Sequence, residues 1–380
     1  MSAATTDRPD TTDRADTLLF SSSRKREWNT LLRHTVVIGG LTAFLVLATW
    51  GAEPYYQLEI GKIVAYLAVS AGLTVLIGLN GQLSLGHSAL MAVGGYTTAI
   101  MQAKLADSPS LYGWRIIISV VLAVALTTVV GVFVGVAAAR LRGPYLAGAS
   151  LALVGVLLPI GTMVKSFKGD QGLKVPLDPR PLRIEYTHLG PYYVQAQQWK
   201  TWLIIGFTLP AMILLANLVK SRYGRNFRAV RDDEVAAKLV GINVARTQVT
   251  AFVVSSAMAG VSGAMFGIIY QQANPLTFGI VISLYMLLGI VLGGIGSLWG
   301  AVWGSILIVA LPDWLSSQAR DVAGTNALLF NRLNGNLALF LFGVGLILVI
   351  LLAPGGLQAL FMRIINWARR PFQQGGASSS

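Results

Sequence analysis

One eight-residue stretch of the chain has the spacing of a phosphate-binding loop. It reads GQLSLGHS over 81–88, and His87 stands where such loops need the lysine that grips phosphate. The stretch also lies between apolar segments, not between a strand and a helix of a soluble domain. Without that lysine and the acidic metal-binding residues of such a site, the chain has no means of hydrolysing ATP. We therefore expect no enzyme activity, no catalytic residue and no cofactor.

The same stretch is the most polar part of a long apolar region and is rich in glycine. A second polar group follows a later apolar segment. Buried polar side chains need partners, and glycine-rich breaks in membrane helices tend to line cavities. We predict a solute path lined by Asn80, Gln82, Ser84, His87, Tyr96, Gln271 and Asn274. For each of them ordinary hydrogen bonding between packed helices is the alternative, above all for His87.

A dense block of charge at 221–248 separates long apolar segments, and its pattern predicts two short amphipathic helices. In the first, Tyr223, Phe227 and Val230 share one face, and the opposite face carries Arg225, Arg228 and Asp232.

In the second helix, Asp232 is the predicted N-cap ahead of Asp233 and Glu234, and Gly241 ends the helix. The apolar stripe of this helix consists of Val235, Ala236, Leu239 and Val240. Such a stripe with charged flanks suits insertion into a partner's groove. The alternative is a helix held at the membrane surface by its basic residues.

Composition defines the class of protein. With 54% hydrophobic residues, 12% charged residues and a mean hydropathy of +0.63, the chain is expected to be an integral membrane protein. The net charge of +13 does not indicate nucleic-acid binding, because the basic residues gather at the ends of apolar segments and in one loop. The absence of cysteine excludes disulfides and thiolate metal sites.

A helix needs about 20 apolar residues to cross a bilayer. On this basis we predict an all-α polytopic bundle of about ten segments. Two of them, 280–293 and 300–311, are short and glycine-rich, and they form broken helices or a re-entrant hairpin. The predicted segments are 34–50, 60–79, 85–103, 115–139, 143–164, 201–219, 249–270, 280–293, 300–311 and 336–353.

Loop charges predict the domain organisation and sidedness. Residues 1–30 form a disordered cytoplasmic tail, 31–356 the transmembrane domain, and 357–380 an interfacial helix with a disordered end. The basic block at 221–248 lies inside, which places the 165–200 loop outside and both termini in the cytoplasm. That loop either serves a partner or only covers the bundle.

The apolar segments carry few ionisable groups. No Asp, Glu, Lys or Arg lies between Lys62 and Lys104 or between Arg246 and Asp313. This argues against a proton-coupled carrier, since such carriers place ionisable groups inside the membrane. Small residues recur every fourth position instead, which predicts close helix packing. They are Gly131 with Gly135, Ala259 with Gly263 and Gly267, and Gly296 with Gly300 and Gly304.

Five separated motifs, in order, resemble the LivM-type permeases of branched-chain amino acid ABC importers. They are GLNGQLSLGHSALMAVGGYTTAI, LRGPYLAGASLAL, SRYGRNFRAVRDDEVAAKLVGINV, AFVVSSAMAGVSGAMFG and VLGGIGSLWGAVWGS. The resemblance covers roughly 78–356. Two departures are the long N-terminal tail and KGDQGL in the 165–200 loop, where many relatives carry a Thr-Gly-Gly-rich segment.

The resemblance implies a subunit of the plasma membrane that pairs with a LivH-like second permease. Two cytoplasmic ATPases that bind the ATP and an external substrate-binding protein would complete the importer. The charged block would then couple to the ATPases through Gly224, Arg225, Arg228, Ala229, Arg231, Asp232, Asp233, Glu234, Ala236, Ala237 and Gly241.

A path without fixed charge suits a zwitterion with an apolar side chain, as branched-chain amino acids are. Two alternatives remain: a permease for urea or short-chain amides, and a self-sufficient secondary carrier or channel. A purely structural scaffold is disfavoured by the paired polar, glycine-rich breaks.

Overall fold

The computed structural model describes residues 36–106, 111, 114–141, 143–163, 171–177, 183–186, 190–193 and 196–323, with short helical pieces between 343 and 362. Its long helices lie where the apolar segments predict them. They are α1 (Val36–Trp50), α2 (Pro54–Leu73), α3 (His87–Lys104), α4 (Arg115–Ala138), α5 (Pro144–Met163), α6 (Ala196–Lys220), α9 (Val244–Tyr270), α10 (Ile280–Gly293) and α11 (Leu298–Ala323).

Five of these stretches are long and apolar enough to cross a membrane. They are Pro54–Leu79, Arg115–Ala138, Gln197–Lys220, Val244–Tyr270 and Leu276–Gly293. Shorter apolar helices lie at Val36–Trp50, Tyr145–Val156 and Leu298–Trp314. The prediction of an all-α polytopic membrane protein is confirmed. The predicted segment 336–353 and both tails, 1–30 and 357–380, lie wholly or mostly outside the described residues.

The long helices run back and forth between two ends of the bundle. One end, the charged end, holds the short helices α7 (Arg222–Asp232) and α8 (Glu234–Leu239). The opposite end, the strand end, holds a two-residue ladder between β1 (Leu173–Lys174) and β4 (Gln272–Ala273).

A small hairpin of β2 (Arg183–Tyr186) and β3 (Gly190–Tyr193) follows β1 in the chain. Like β1 at the strand end, these strands belong to the 165–200 loop, for which the sequence predicted no strand. At this end Arg115 Nη2 donates to the carbonyl of Pro176 at 2.9 Å, which ties the loop to the start of α4.

Helix α9 is the centre of the bundle and packs against α2, α3 and α4. Glycines permit this packing because they let backbones approach closely. A Cβ added to Gly263 would lie 2.9 Å from the Cα of Met91, and one added to Gly260 would lie 2.9 Å from the Cβ of Thr127. Gly135 of α4 likewise faces Phe252 of α9. The small residues of these segments are therefore packing positions.

The chain between α2 and α3 is broken, as the glycine-rich sequence predicts. Helix α2 continues as a π-helical turn over Thr74–Leu79, and α3 begins only at His87. Gly81 has φ +76°, which suits glycine because a Cβ would be strained there. In the resulting non-helical segment 80–86, Asn80, Gln82, Ser84 and Gly86 are buried, while Gly81 and Leu83 are exposed and line a cavity, as irregular backbone within a membrane can.

Helices α10 and α11 form an antiparallel hairpin joined by residues 294–297 at the charged end. The predicted limits of the second segment, 300–311, were too short, because the helix continues through Pro312 and Asp313 to Ala323. Those two residues interrupt the apolar run without ending the helix. Gly289 and Gly304 let the two helices touch, since a Cβ on Gly289 would lie 2.7 Å from Cγ1 of Ile308.

A methyl group at Gly263 should destabilise the bundle. Gly263→Ala forces its Cβ against the backbone of Met91, and overpacking of this kind costs about 1–3 kcal/mol. The melting temperature of the purified protein in detergent should fall by several degrees. Gly206→Ala is the matched control, because nothing lies within 4 Å of its added Cβ. Equal melting temperatures for the two variants would contradict this packing.

Candidate docking segment and adjoining cavity

Helix α7 begins at an N-cap serine and lies on the bundle through a small apolar face. Ser221 Oγ accepts from the Tyr223 amide at 3.2 Å. Phe227 and Val230 are buried as predicted, and Gly224 is buried where a Cβ would strike the backbone of Val219. The placement of Tyr223 on that face was wrong, because it is 50% exposed and Gly224 makes the contact instead.

Helix α8 follows after a single residue, and its cap differs from the predicted one. Asp233 is the N-cap, and its Oδ1 accepts from the amides of Val235 at 2.7 Å and Ala236 at 3.0 Å. Asp232 is the last residue of α7 and cannot cap α8. The helix ends before Gly241, whose φ of +83° is the left-handed conformation expected for a helix-terminating glycine.

The predicted apolar stripe of α8 faces outward. Val235, Leu239 and Val240 are 66%, 83% and 75% exposed, and Ala236 is exposed with them. Ala237 alone is buried, against Val230 of α7 and Val244 of α9. Exposed apolar patches bordered by polar residues mark interaction sites, and this face of α8 is such a candidate.

Arg231 connects α7 to the π-helical turn at the end of α2 through a hydrogen bond. Its Nη1 donates to the carbonyl of Gly78 at 2.7 Å, and its Nε and Nη2 donate to Asp232 Oδ1 at 3.0 and 2.8 Å. The amides after the π turn bond to the carbonyls of Val75, Leu76 and Ile77, which leaves the Gly78 carbonyl for the guanidinium.

Glycine makes room for this contact on two sides. A Cβ on Gly81 would lie 2.9 Å from Cγ of Arg231, and one on Gly78 would lie 2.6 Å from the Cα of Gly296. Gly296 belongs to the turn of the α10–α11 hairpin. The three elements α7, the π turn and the hairpin turn therefore meet at one point of the charged end.

A cavity of about 770 Å³ opens beside this meeting point. Its walls come from the break (80–83), the turn between α4 and α5, the end of α7, α8 and the start of α9. Two predicted path residues, Asn80 and Gln82, lie in its wall. They are only 3% and 7% exposed. Within the described residues, both amide atoms of Asn80 and Oε1 of Gln82 have no hydrogen-bond partner.

Ser84 and His87 do not line this cavity. Ser84 Oγ lies 3.2 Å from Nδ1 of His87, and Nε2 of His87 lies 2.6 Å from Ser255 Oγ of α9. Ser88 and Ser283 are similarly bonded through their hydroxyls at 2.7 Å. The alternative interpretation of His87, a hydrogen-bonded packing residue, is the one the geometry supports. These contacts hold the start of α3 against α9 and α10.

The remaining predicted path residues lie elsewhere. Tyr96 is buried in α3, beyond His87 toward the strand end. Gln271 follows α9 in the left-handed conformation, with φ 51°, and its carbonyl accepts from the Val175 amide. Asn274 Oδ1 accepts from the Leu276 amide. Gln271 and Asn274 thus belong to the strand end, and the structure does not bring them together with Asn80 and Gln82.

Sequence reasoning missed the two contacts that join these parts. The Arg231 to Gly78 bond and the approach of Gly78 to Gly296 connect positions far apart in the chain. The spacing of either segment alone carries no signal for them. No group of three or more His, Cys, Asp or Glu within the described residues could hold a metal ion.

A polytopic helical bundle with a broken helix defines a multi-pass membrane protein, here with an exposed apolar helix face on its charged end. Residues 58–352 match the family model described as the permease component of branched-chain amino acid transport systems. The chain belongs to this family. No solved structure matches it.

Curated relatives carry the same description. The chain is 28% identical over 296 residues to the high-affinity branched-chain amino acid transport system permease protein LivM of Escherichia coli. It is 27% identical over 265 residues to LivH of the same organism, which covers 68% of this chain and 85% of LivH. The matches to LivM of Escherichia coli and of Salmonella typhimurium cover 71% and 64% of this chain but only 66% and 60% of those relatives.

Replacing Arg231 should loosen both segments that it joins. Arg231→Met removes the donor to Gly78, and a hydrogen bond to a charged group contributes about 1.5–3 kcal/mol. Deuterium uptake should therefore become about tenfold faster in peptides covering 76–86 and 229–236. Arg228→Met is the control, since Arg228 is exposed on the same helix. Unchanged uptake in the Arg231 variant would show that the bond does not hold these segments.

Proposed function

We propose that this chain is a permease subunit of an ABC importer that moves branched-chain amino acids across the plasma membrane. Family membership and the LivM relatives support this assignment. A second, LivH-like permease completes the pathway, because relatives of both types match this chain. Separate ATPase subunits bind the ATP, and an external binding protein delivers the solute. The chain itself performs no chemistry and holds no cofactor.

The observation that carries the proposal is the exposed apolar face of α8. Val235, Leu239 and Val240 are uncovered at a surface whose neighbours are charged. A two-turn helix presenting such a face inserts into a groove of a partner. We assign this groove to an ATPase subunit. The predicted coupling residues then divide into those that hold α7 and α8 in place, such as Gly224, Arg231 and Asp233, and those that touch the partner, such as Ala236.

Motion of the ATPases reaches the membrane through the same segment. ATP binding draws the two ATPases together, and α8 moves with the one on which it docks. Arg231 passes this movement to Gly78 and, through it, to Gly296. The bundle then changes from an outward-open to an inward-open arrangement. Packed elements that have two stable arrangements allow such a change.

The charged end faces the cytoplasm in this proposal, and the strand end faces the binding protein. Both termini are cytoplasmic. The basic residues of α7 and α8 support this orientation through the positive-inside rule. The 165–200 loop, whose strand β1 lies at the strand end, is then available to the binding protein.

The solute path runs past the polar helix breaks. Asn80 and Gln82 line it at the charged end, and Tyr96, Gln271 and Asn274 lie toward the strand end. Amide groups and backbone dipoles at helix breaks can meet the charged ends of a zwitterion without fixed counter-charges. An aliphatic side chain matches the apolar walls.

Acidic residues in the α8 stripe should stop coupling. Val235→Asp and Leu239→Asp each place a charge in an apolar contact, which is costly to desolvate. In the assembled complex, ATP hydrolysis stimulated by the loaded binding protein should fall about tenfold or more. Tyr223→Asp, an exposed apolar position on α7, should retain stimulation. Survival of stimulated hydrolysis in both α8 variants, with intact folding, would contradict the docking assignment.

Uptake by the complete complex in proteoliposomes should distinguish the solutes. L-leucine should accumulate with ATP and the binding protein, because the path suits an apolar zwitterion. Urea should not accumulate. Exclusive urea uptake would instead indicate the amide-permease alternative. Uptake by this chain alone, without ATPase subunits, would indicate a self-sufficient carrier.

A further inference from the structure

The cavity beside Arg231 lies between the break and the docking segment, which the bond from Arg231 to Gly78 joins. One wall is the break at 80–83, and the facing wall is formed by residues 230–234 and Lys238 of the docking segment. Its volume of about 770 Å³ falls within the range of small-molecule sites. A molecule bound here would contact both walls at once.

Two buried side chains give this cavity its polar character. Both amide atoms of Asn80 and Oε1 of Gln82 are enclosed in its wall, and none of them is bonded to a described residue. A buried polar group without a partner costs about 1–3 kcal/mol. A ligand that draws both side chains toward the cavity, donating to one amide and accepting from the other, would recover this cost.

The charges of the wall select the class of ligand. Arg231 is neutralised by Asp232, while Asp233 caps α8 and Glu234 accepts from Gln248 at 3.0 Å. Together with Lys238, the wall holds two basic and three acidic side chains, so it offers no positive field for a nucleotide or another polyanion. A zwitterion, whose positive and negative charges compensate each other, fits this wall better.

The rest of the cavity is aliphatic. The larger apolar side chains are those of Leu83, Leu141, Leu146, Val230 and Val244. A short branched hydrocarbon chain would bury its surface against them at roughly 25 cal/mol per Å².

We propose that this cavity is a binding site for the transported zwitterionic amino acid on the cytoplasmic side, with Asn80 and Gln82 holding its amino and carboxylate groups. The inference rests on the proposed function. A bound amino acid contacts both the break and the docking segment, and it stabilises the arrangement of the bundle in which this cavity is open to the cytoplasm. Product that accumulates in the cytoplasm therefore slows ATP turnover.

The test uses the complete complex in proteoliposomes that contain ATP only in the lumen. Only complexes with their ATPases facing the lumen are then active. Lumenal ATP hydrolysis is started by adding leucine-loaded binding protein outside, and its initial rate is measured at increasing lumenal L-leucine. Each variant is normalised to its own rate without lumenal leucine. Lumenal urea at equal concentrations provides the second ligand.

In the unmodified complex, lumenal leucine should inhibit and urea should not. Asn80→Leu and Gln82→Leu should each raise the half-inhibitory leucine concentration about tenfold, as expected for the loss of a hydrogen bond to a charged group. Gln102→Leu should leave it unchanged, since this equally buried amide lies at the other end of α3 and bonds to Ser119.

Three results would overturn the inference: no inhibition of the unmodified complex by leucine, inhibition by urea instead, or equal inhibition of the unmodified complex and the two cavity variants. If one cavity variant fails to fold, the other provides the comparison. An unmodified complex that shows no leucine-stimulated hydrolysis at all indicates failure of the proposed function rather than of this site.

Discussion

The hydrogen bond from Arg231 to the carbonyl of Gly78 is the constraint on which the rest of the arrangement depends. The π turn leaves this carbonyl without a backbone donor, and buried peptide groups at membrane depth must be satisfied by protein. A charged side chain from the water-facing segment supplies the bond. Because Gly78 also touches Gly296, a single guanidinium connects α7, the broken helix and the α10–α11 hairpin.

In the proposed importer, this connection makes the docking segment and the membrane bundle parts of one mechanism. Helix α8 has little buried surface of its own, since Ala237 is its only buried side chain. Its position is fixed by the Asp233 cap, by the bond between Glu234 and Gln248, and by α7. A force applied to the exposed face is therefore passed to α7 and Arg231 rather than dissipated in a loop. Close glycine contacts along α9 keep the bundle rigid enough to respond as discrete elements.

The sequence predicted the helices well, because apolar length is a strong signal in a membrane protein. It also predicted the glycine-rich break and the apolar stripe of α8. The role of Asn80 and Gln82 in a solute path stays a prediction, and both lie in the wall of the cavity. Sequence reasoning misplaced the α8 cap by one residue, since Asp232 and Asp233 are adjacent and only the backbone decides which one precedes the helix. It grouped Ser84 and His87 with the path, although Ser255 from a distant segment satisfies His87. Pairings across the chain, such as Arg231 with Gly78, have no local signature.

The most direct test of the account is the side of the membrane on which α8 lies. The chain has no cysteine, so single cysteines can be introduced at two exposed positions on opposite ends, Leu239→Cys and Leu276→Cys. Each is treated with a membrane-impermeant maleimide in vesicles made without ATPase subunits. The account predicts labelling of the first only in inside-out vesicles and of the second in right-side-out vesicles. Labelling of Leu239→Cys from the outside of intact right-side-out vesicles would contradict it, because no cytoplasmic ATPase could then reach α8.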